Sequence, residues 1–248
     1  MRQRRRSSED LEEQVRRRTI ELEAALKELE AFSYSVSHDL RAPLRAVDGF
    51  ARLFEEKYGR CVDEEGRRLL GIIRDSSRRM GMLIDSLLSY SRLGRQALHP
   101  ADIDMHALAA QAWAELGAAD PVKCSMPALP AARGDPVLLR QVWINLLSNA
   151  LKYSSKRAAP RIEVSGRREG AELVYSVRDN GAGFDMRHAD RLFGVFQRLH
   201  PESEFPGTGA GLATVQRIVA RHGGRVWAEA APDAGATFSF SLPAETQT

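Results

Sequence analysis

The sequence predicts two architectures in succession. A long α-helical hairpin over residues 9–93 is followed by an α/β domain, a helix layer packed on a mixed, largely antiparallel sheet. Three observations predict this. Apolar residues recur at spacings of three and four from 9 to 58 and again from 65 to 93. The segment "KYGRCVDEEG", with Gly59 and Gly66, interrupts the two runs. Beyond residue 104 the helical period alternates with short β-prone runs.

In the first helix the stripe reads Leu11, Val15, Leu22, Ala25, Leu29, Phe32, Val36, Leu40, Pro43, Val47, Phe50 and Phe54, with a gap at Arg18. That spacing is heptad-like. The second carries Leu69, Ile73, Met80, Leu83, Ile84, Leu87 and Leu88, with Gly94 as its stop. A lone hairpin leaves such a stripe facing water. Burying it against a second copy makes a dimeric four-helix bundle, so a homodimer through residues 9–93 is expected. Residues 95–104 read as a linker. In the second half, helices are expected at 105–116, 135–153 and 209–222, and strands at 122–125, 162–166, 173–178, 225–228 and 237–242. "RREG" reads as a hairpin turn, and Gly223 after His222 as a helix cap.

Composition narrows the class of protein. A hydrophobic fraction of 43% and a charged fraction of 28% suit a soluble globular chain. No apolar run approaches the roughly 20 residues of a membrane span, and no signal-peptide core opens the chain. A cytoplasmic location is expected, and a membrane-associated parent stays open. The basic clusters "RQRRR" and "VRRRT" are interleaved with Glu9, Asp10, Glu12, Glu13, Glu21 and Glu23. They read as a solvated helix face, and no nucleic-acid partner is expected. Cys61 and Cys124 lie far apart without CxxC spacing, which argues against a disulfide framework or zinc site.

Four segments and one histidine carry chemistry. In "SHDLRAPL", His38 lies two residues past Val36, about 200° around the helix, on a face with Arg41, Ala42 and Arg45. Pro43 cannot serve the carbonyl of Asp39, so a kink is expected beside the histidine. In "RQVWINLLSNALKYS", Asn145, Asn149 and Lys152 share a helix face, offering carbonyl oxygens to a hard cation and a charge to phosphate. "VRDNGAGF" ends a strand in Asp179, an acceptor for an amino group such as that of adenine, with Gly181 and Gly183 allowing close approach. "GTGAGLA" sets Gly207, Gly209 and Gly211 before a helix N-terminus, a phosphate cradle. Between Gly183 and Gly207 lies a glycine-flanked segment suited to a lid, with Phe193 and Phe196 as anchors.

In this order and spacing the segments resemble the transmitter region of bacterial sensor histidine kinases, especially those following PAS or phytochrome-type domains. "FSYSVSHDLRAPLRAVDGF" resembles the phosphoacceptor box. "QVWINLLSNALKYS", "DNGAGF", "LFGVFQRLH" and "GTGAGLATVQRIVARHGGRVW" resemble the N, G1, F and G2 boxes of the ATP-binding domain. The resemblance implies a signal-entry coiled coil at 1–30, a dimerisation and phosphotransfer domain at 31–94, a Bergerat-type ATP-binding domain at 105–243 and a tail at 244–248. It implies that His38 accepts the γ-phosphoryl group and that Asp39 acts as base or orients the ring. Asn149 would bind Mg²⁺ with Asn145 in support, Lys152 would face phosphate, and Tyr153 would line the nucleotide site. Asp179 would read adenine. Gly181, Gly183, Arg198, Gly207, Thr208, Gly209, Gly211 and Leu212 would shape pocket and lid.

ATP and Mg²⁺ are the implied cofactors, and a response-regulator receiver domain is the implied partner. An upstream sensory domain, absent from this chain, would supply the signal. Related ATPases place a water-activating glutamate where Asn145 stands; an amide favours transfer to a delivered histidine instead. Ala42 departs from the Thr or Asn common in relatives, which removes a water-positioning group for phosphatase activity. Ala210 replaces a frequent Ile. Two competing readings are a non-catalytic dimeric scaffold, which the nucleotide motifs oppose, and a nucleic-acid binder resting on the N-terminal arginines.

Overall fold

The computed structural model describes the backbone of residues 2–93, 97–117, 122–201 and 204–244; in the first helix, side chains are described at 13–18, 20, 21, 24, 28, 31 and from 34 onward. Gly94 and the stripe residues Leu11, Leu22, Ala25, Leu29 and Phe32 fall outside the described residues or side chains. The chain divides into two compact units, Met1–Arg92 and Leu93–Thr248.

The first unit is a helical hairpin. Helix α1 (Arg2–Tyr58) runs through Pro43 without interruption, and α2 (Glu64–Leu93) follows a short turn. On the α1 side the helices do not meet along the predicted stripe. Among the described side chains of this unit Ser37, Ala51, Ser77, Ile84, Leu88 and Ser91 are buried, and Leu44 and Asp48 are half-buried. The spacing 37, 41, 44, 48, 51 is a second heptad seam, one position around from the apolar one. Ion pairs lace it: Arg41 to Asp85 at 2.6 Å, Arg74 to Glu55, and Arg74 and Arg78 to Asp48 at 3.8 and 3.6 Å. The described α1 stripe residues Val36, Leu40, Val47, Phe50 and Phe54 are exposed, as are Leu69, Ile73 and Met80 of the α2 stripe, whereas Ile84 and Leu88 at its far end are buried in the seam.

The second unit is the expected α/β sandwich. Its five-stranded sheet has the order β2 (Lys123–Ser125), β4 (Arg161–Glu169), β5 (Glu172–Asp179), β7 (Gly235–Pro243), β6 (Val226–Ala231). Only β2–β4 is parallel. Helices α3 (Met105–Glu115), α4 (Pro136–Ser154) and α5 (Gly211–Arg221) complete the domain. Helix α4 starts cleanly because Asp135 accepts the N–H groups of Val137 and Leu138, and Pro136 needs no donor at its first turn. One face of α4 buries Leu139, Val142, Trp143, Leu146 and Leu147 in the same core as Ile162, Tyr175, Phe238 and Phe240. Trp143 meets Tyr175 and Phe240 edge-on, with centroids 6.0 and 5.4 Å apart.

Several boundaries differ from expectation. β1 (Ala101–Ile103), inside the expected linker, pairs antiparallel with β3 (Ala132–Gly134), which had no sequence signal. Three-residue strands are too short to display a period. The "RREG" turn shrinks to Gly170–Ala171, because Arg167–Glu169 continue pairing with Glu172–Val174; Gly170 takes φ 59° to close the hairpin. A 3-10 helix, Met186–Arg191, opens the expected lid.

Candidate functional site

Sheet order puts β5 at the centre, so Asp179 at its end is flanked by Ile162 and Ala236 and is 3% exposed. Its Oδ1 accepts the N–H of Gly181 at 2.7 Å. Burial pushes its pKa above the usual carboxylate value, while the Gly181 and Ala236 amides and the Arg157 charge pull it back. The loop after it runs so close to its neighbours that side chains are excluded. A Cβ on Gly181 would lie 2.5 Å from the Tyr153 carbonyl oxygen, and one on Gly183 would lie 2.0 Å from that of Ala231. Gly183 also needs φ 60°.

A pocket of about 480 Å³ opens beside Asp179. Tyr153, Asp179, Gly183, Arg198 and Leu212 line it from the predicted set; Phe184, Gln197 and His200 line it without having been predicted. One wall is an aromatic cluster in which Tyr153 stands 5.4 Å from His200 and 5.0 Å from Phe205. The imidazole Nε2 of His200 is 2.7 Å from the Gly183 carbonyl oxygen, a hydrogen bond when that nitrogen carries the proton. In the lid, Leu192 and Phe205 are buried, whereas the expected anchor Phe196 is 38% exposed with φ 62°; Phe193 is only partly buried against the core. Helical spacing cannot locate anchors in an irregular segment.

Beside the pocket the remaining predicted residues gather. Asn145 donates from Nδ2 to the Gln141 carbonyl at 3.0 Å, and its Oδ1 lies close under Gly211, 3.0 Å from where a Cβ would be. Half-buried Asn149 is one turn further along. The Lys152 ammonium sits 4.3 Å over the Tyr153 ring and 3.3 Å from a Cβ built on Gly207. Burial, and then the positive charge of Arg198, push its pKa down. Two cations held together in a partly desolvated site favour an anion between them. Arg198 donates to the carbonyls of Phe205 and Gly207 and packs under Gly209, while Thr208 is half-exposed. Helix α5 begins at Ala210 with no side-chain cap, unlike α3, α4 and the 3-10 helix, which Asp104, Asp135 and Asp185 cap. Its first N–H groups are donors for a phosphate.

His38 and Asp39 belong to the helical hairpin. The His38 side chain is 69% exposed, and its Nδ1 is 3.2 Å from Asp39 Oδ1. With the proton on Nδ1 the contact is a hydrogen bond, and Nε2 keeps the lone pair of the ring. Ala42, on the same exposed face, offers no polar atom.

Both units have matches among known proteins. Residues 28–96 match the His Kinase A (phospho-acceptor) domain, and residues 134–246 match the "Histidine kinase-, DNA gyrase B-, and HSP90-like ATPase" family. Over 90% of its length the chain is 33% identical to phytochrome-like protein Cph1 of Synechocystis, covering 30% of that protein. It is 39% identical to cyanobacterial phytochrome B of Nostoc, again covering 30%. Methanogenesis regulatory histidine kinase FilI of Methanothrix harundinacea is 37% identical over 93% of the chain, with 26% of FilI covered. The chain thus spans about a third of the length of these relatives. Full-length ShkA in complex with AMPPNP superposes with a TM-score of 0.61 at 28% identity, covering 89% of this chain and 46% of ShkA.

Proposed function

We propose, from the premise that this chain carries a histidine kinase phosphoacceptor domain and a histidine kinase-like ATPase domain, that it phosphorylates its own His38 from ATP and passes the phosphoryl group to an aspartate of a response-regulator receiver domain. The observation that carries the reading is the convergence of Tyr153, Asp179, Gly183, Arg198 and Leu212 on one pocket, beside Lys152 and the uncapped start of α5. Asp179 accepts the adenine amino group. The N-terminus of α5 and the side chains of Lys152 and Arg198 neutralise phosphate charge, which is most of what phosphoryl transfer requires of a protein.

Mg²⁺ fits as the phosphate counter-ion. Among the described residues no cluster of three or more His, Cys, Asp or Glu could hold a metal. An ion that keeps its waters and takes most of its ligands from phosphate needs little more than the Asn149 carboxamide oxygen. Mg²⁺ would there supply charge neutralisation. At the acceptor, Asp39 holds the Nδ1 proton, so the Nε2 lone pair attacks the γ-phosphorus. The Nε2–P bond forms as the bond from phosphorus to the β–γ bridging oxygen breaks, ADP leaves with that electron pair, and the Asp39 carboxylate meets the positive charge gained by the ring.

Dimerisation is general for the phosphoacceptor domain; for this chain we assign it to the exposed stripe within residues 9–93, with the sensory input preceding the coiled coil at 1–30. Incubation with γ-labelled ATP and Mg²⁺ tests the assignment. Acid-labile, base-stable label on the wild type, absent from both His38→Gln and Asn149→Ala, is expected. Label retained by His38→Gln removes His38 as the acceptor.

A further inference from the structure

Immediately after α4, Arg157 does something the nucleotide motifs do not account for. Its Nε donates to the Asn180 carbonyl at 2.9 Å, and its Nη2 donates to the carbonyls of Gly181 at 2.9 Å and Asp233 at 2.6 Å. One planar guanidinium thereby gathers three backbone carbonyls from two separate loops, the one following Asp179 and the turn between β6 and β7. A fourth contact, to the Asp233 carboxylate, is looser at 3.5 Å, and Asp233 holds a left-handed φ of 60°. The same two loops are stitched directly, Asp233 N–H to Ala182 carbonyl at 2.7 Å, and Ala182 N–H donates to the Tyr153 carbonyl at 3.1 Å.

We propose that Arg157 is a positioning residue for nucleobase recognition: its forked guanidinium fixes the 180–181 backbone, and through the Gly181 N–H the orientation of the Asp179 carboxylate that reads the base. The chain of contacts is short. Arg157 holds the Gly181 carbonyl, the Gly181 N–H holds Asp179 Oδ1, the Ala236 amide also donates to the carboxylate, and Asp179 lines the pocket. Folding of the loop does not depend on Arg157 alone. The Asn180 side chain spans from the Ala159 carbonyl to the Arg161 N–H at 2.8 Å each, and His200 contacts Gly183. Removing the guanidinium therefore loosens the Gly181 side of the carboxylate's two amide contacts, leaving the Ala236 amide, without dismantling the domain. The positive charge also favours the ionised, accepting form of Asp179.

The inference rests on the adenine-site reading, and the test separates the two. Binding of Mg·ADP and Mg·GDP is measured by calorimetry on the full chain for wild type, Arg157→Met, Arg157→Lys and Arg225→Met. Arg225 pairs with Glu172 at the opposite end of β5, about 23 Å along the strand, and serves as the control for loss of a surface arginine. The Met variant is expected to bind ADP about tenfold more weakly with GDP nearly unchanged, the size of one charge-assisted hydrogen bond. The Lys variant recovers part of the ADP preference, and Arg225→Met keeps all of it. An unchanged ADP-to-GDP ratio in Arg157→Met, or equal weakening of both nucleotides, overturns the proposal. Should the Met variant not fold, the Lys variant is judged by the same ratio, a reduced one supporting the proposal and an unchanged one overturning it. Wild type that shows no preference for ADP sinks the adenine-site reading instead.

Discussion

Substituting Gly183 by alanine separates two costs that usually come together. The native φ of 60° is strained for any L-residue, by about 1–2 kcal/mol. The new Cβ would also stand 2.0 Å from the Ala231 carbonyl oxygen and 2.8 Å from that of Gly235. Both are backbone atoms at the β6–β7 turn, so no rotamer change relieves the clash. Restoring ordinary contact at 3.4 Å requires a movement of about 1.4 Å by paired strand ends. Displacing packed structure in this way costs about 1–3 kcal/mol more. The sum, about 2–5 kcal/mol, corresponds to a fall in melting temperature of roughly 10 °C for a domain of this size. Gly170→Ala is the matched comparison. It shares the left-handed backbone, φ 59°, but nothing lies within 4 Å of its Cβ, so only the strain component of about 1–2 kcal/mol remains. Thermal unfolding of both variants, with and without Mg·ADP, reads the difference. Because Gly183 also meets His200 and lines the pocket, its variant should lose most of the ADP-induced stabilisation, whereas Gly170→Ala keeps it. Equal melting temperatures for the two variants would refute the close-approach argument.

Other perturbations follow from the same geometry. Asp179→Asn should raise the melting temperature of the nucleotide-free protein while weakening ADP binding about 10- to 100-fold, opposite signs that simple damage cannot produce. Burial raises the Asp179 pKa above its unfolded value, so the folded state carries the cost of an ionised carboxylate at neutral pH; that cost is relieved as pH falls through the raised pKa toward 3.8, and Asn removes this pH dependence from the unfolding curve. Phe50→Glu places a charge on the most exposed apolar residue among the described members of the α1 stripe, and sedimentation should show a dimer shifted toward monomer; an unaltered dimer would exclude this face as the interface. Pro43→Ala restores the donor missing for the Asp39 carbonyl and should slow or deregulate labelling of His38, and an unchanged time course would leave Pro43 without a role beside the acceptor.

Much of the fold could be read in advance because helices announce themselves by period. The hairpin, the helix bearing Asn145 to Tyr153 and the glycine-led α5 all did so. Period alone left most of the hairpin's own seam unread. The residues joining α1 to α2 include Ser37, Arg41, Asp48, Ala51 and Ser77, which a search for apolar side chains passes over; of the predicted stripes only Ile84 and Leu88 on α2 are buried there, while the described α1 stripe residues from Val36 to Phe54 face outward. The short β1 and β3 were missed for want of length. Within the pocket, residues at strand ends and helix starts were legible from their glycines and acids. Arg157, His200 and Phe205 were not, since their contacts reach partners tens of residues away that no local pattern encodes.

The bare beginning of α5 ties durability to fuel. Elsewhere in the domain a neighbouring aspartate finishes each helix start; here no side chain does, and on the function proposed above a phosphate from outside takes the task. Resistance to heat and proteolysis should therefore rise and fall with the supply of nucleotide, and molecules starved of it would be the first that a cell's quality control removes.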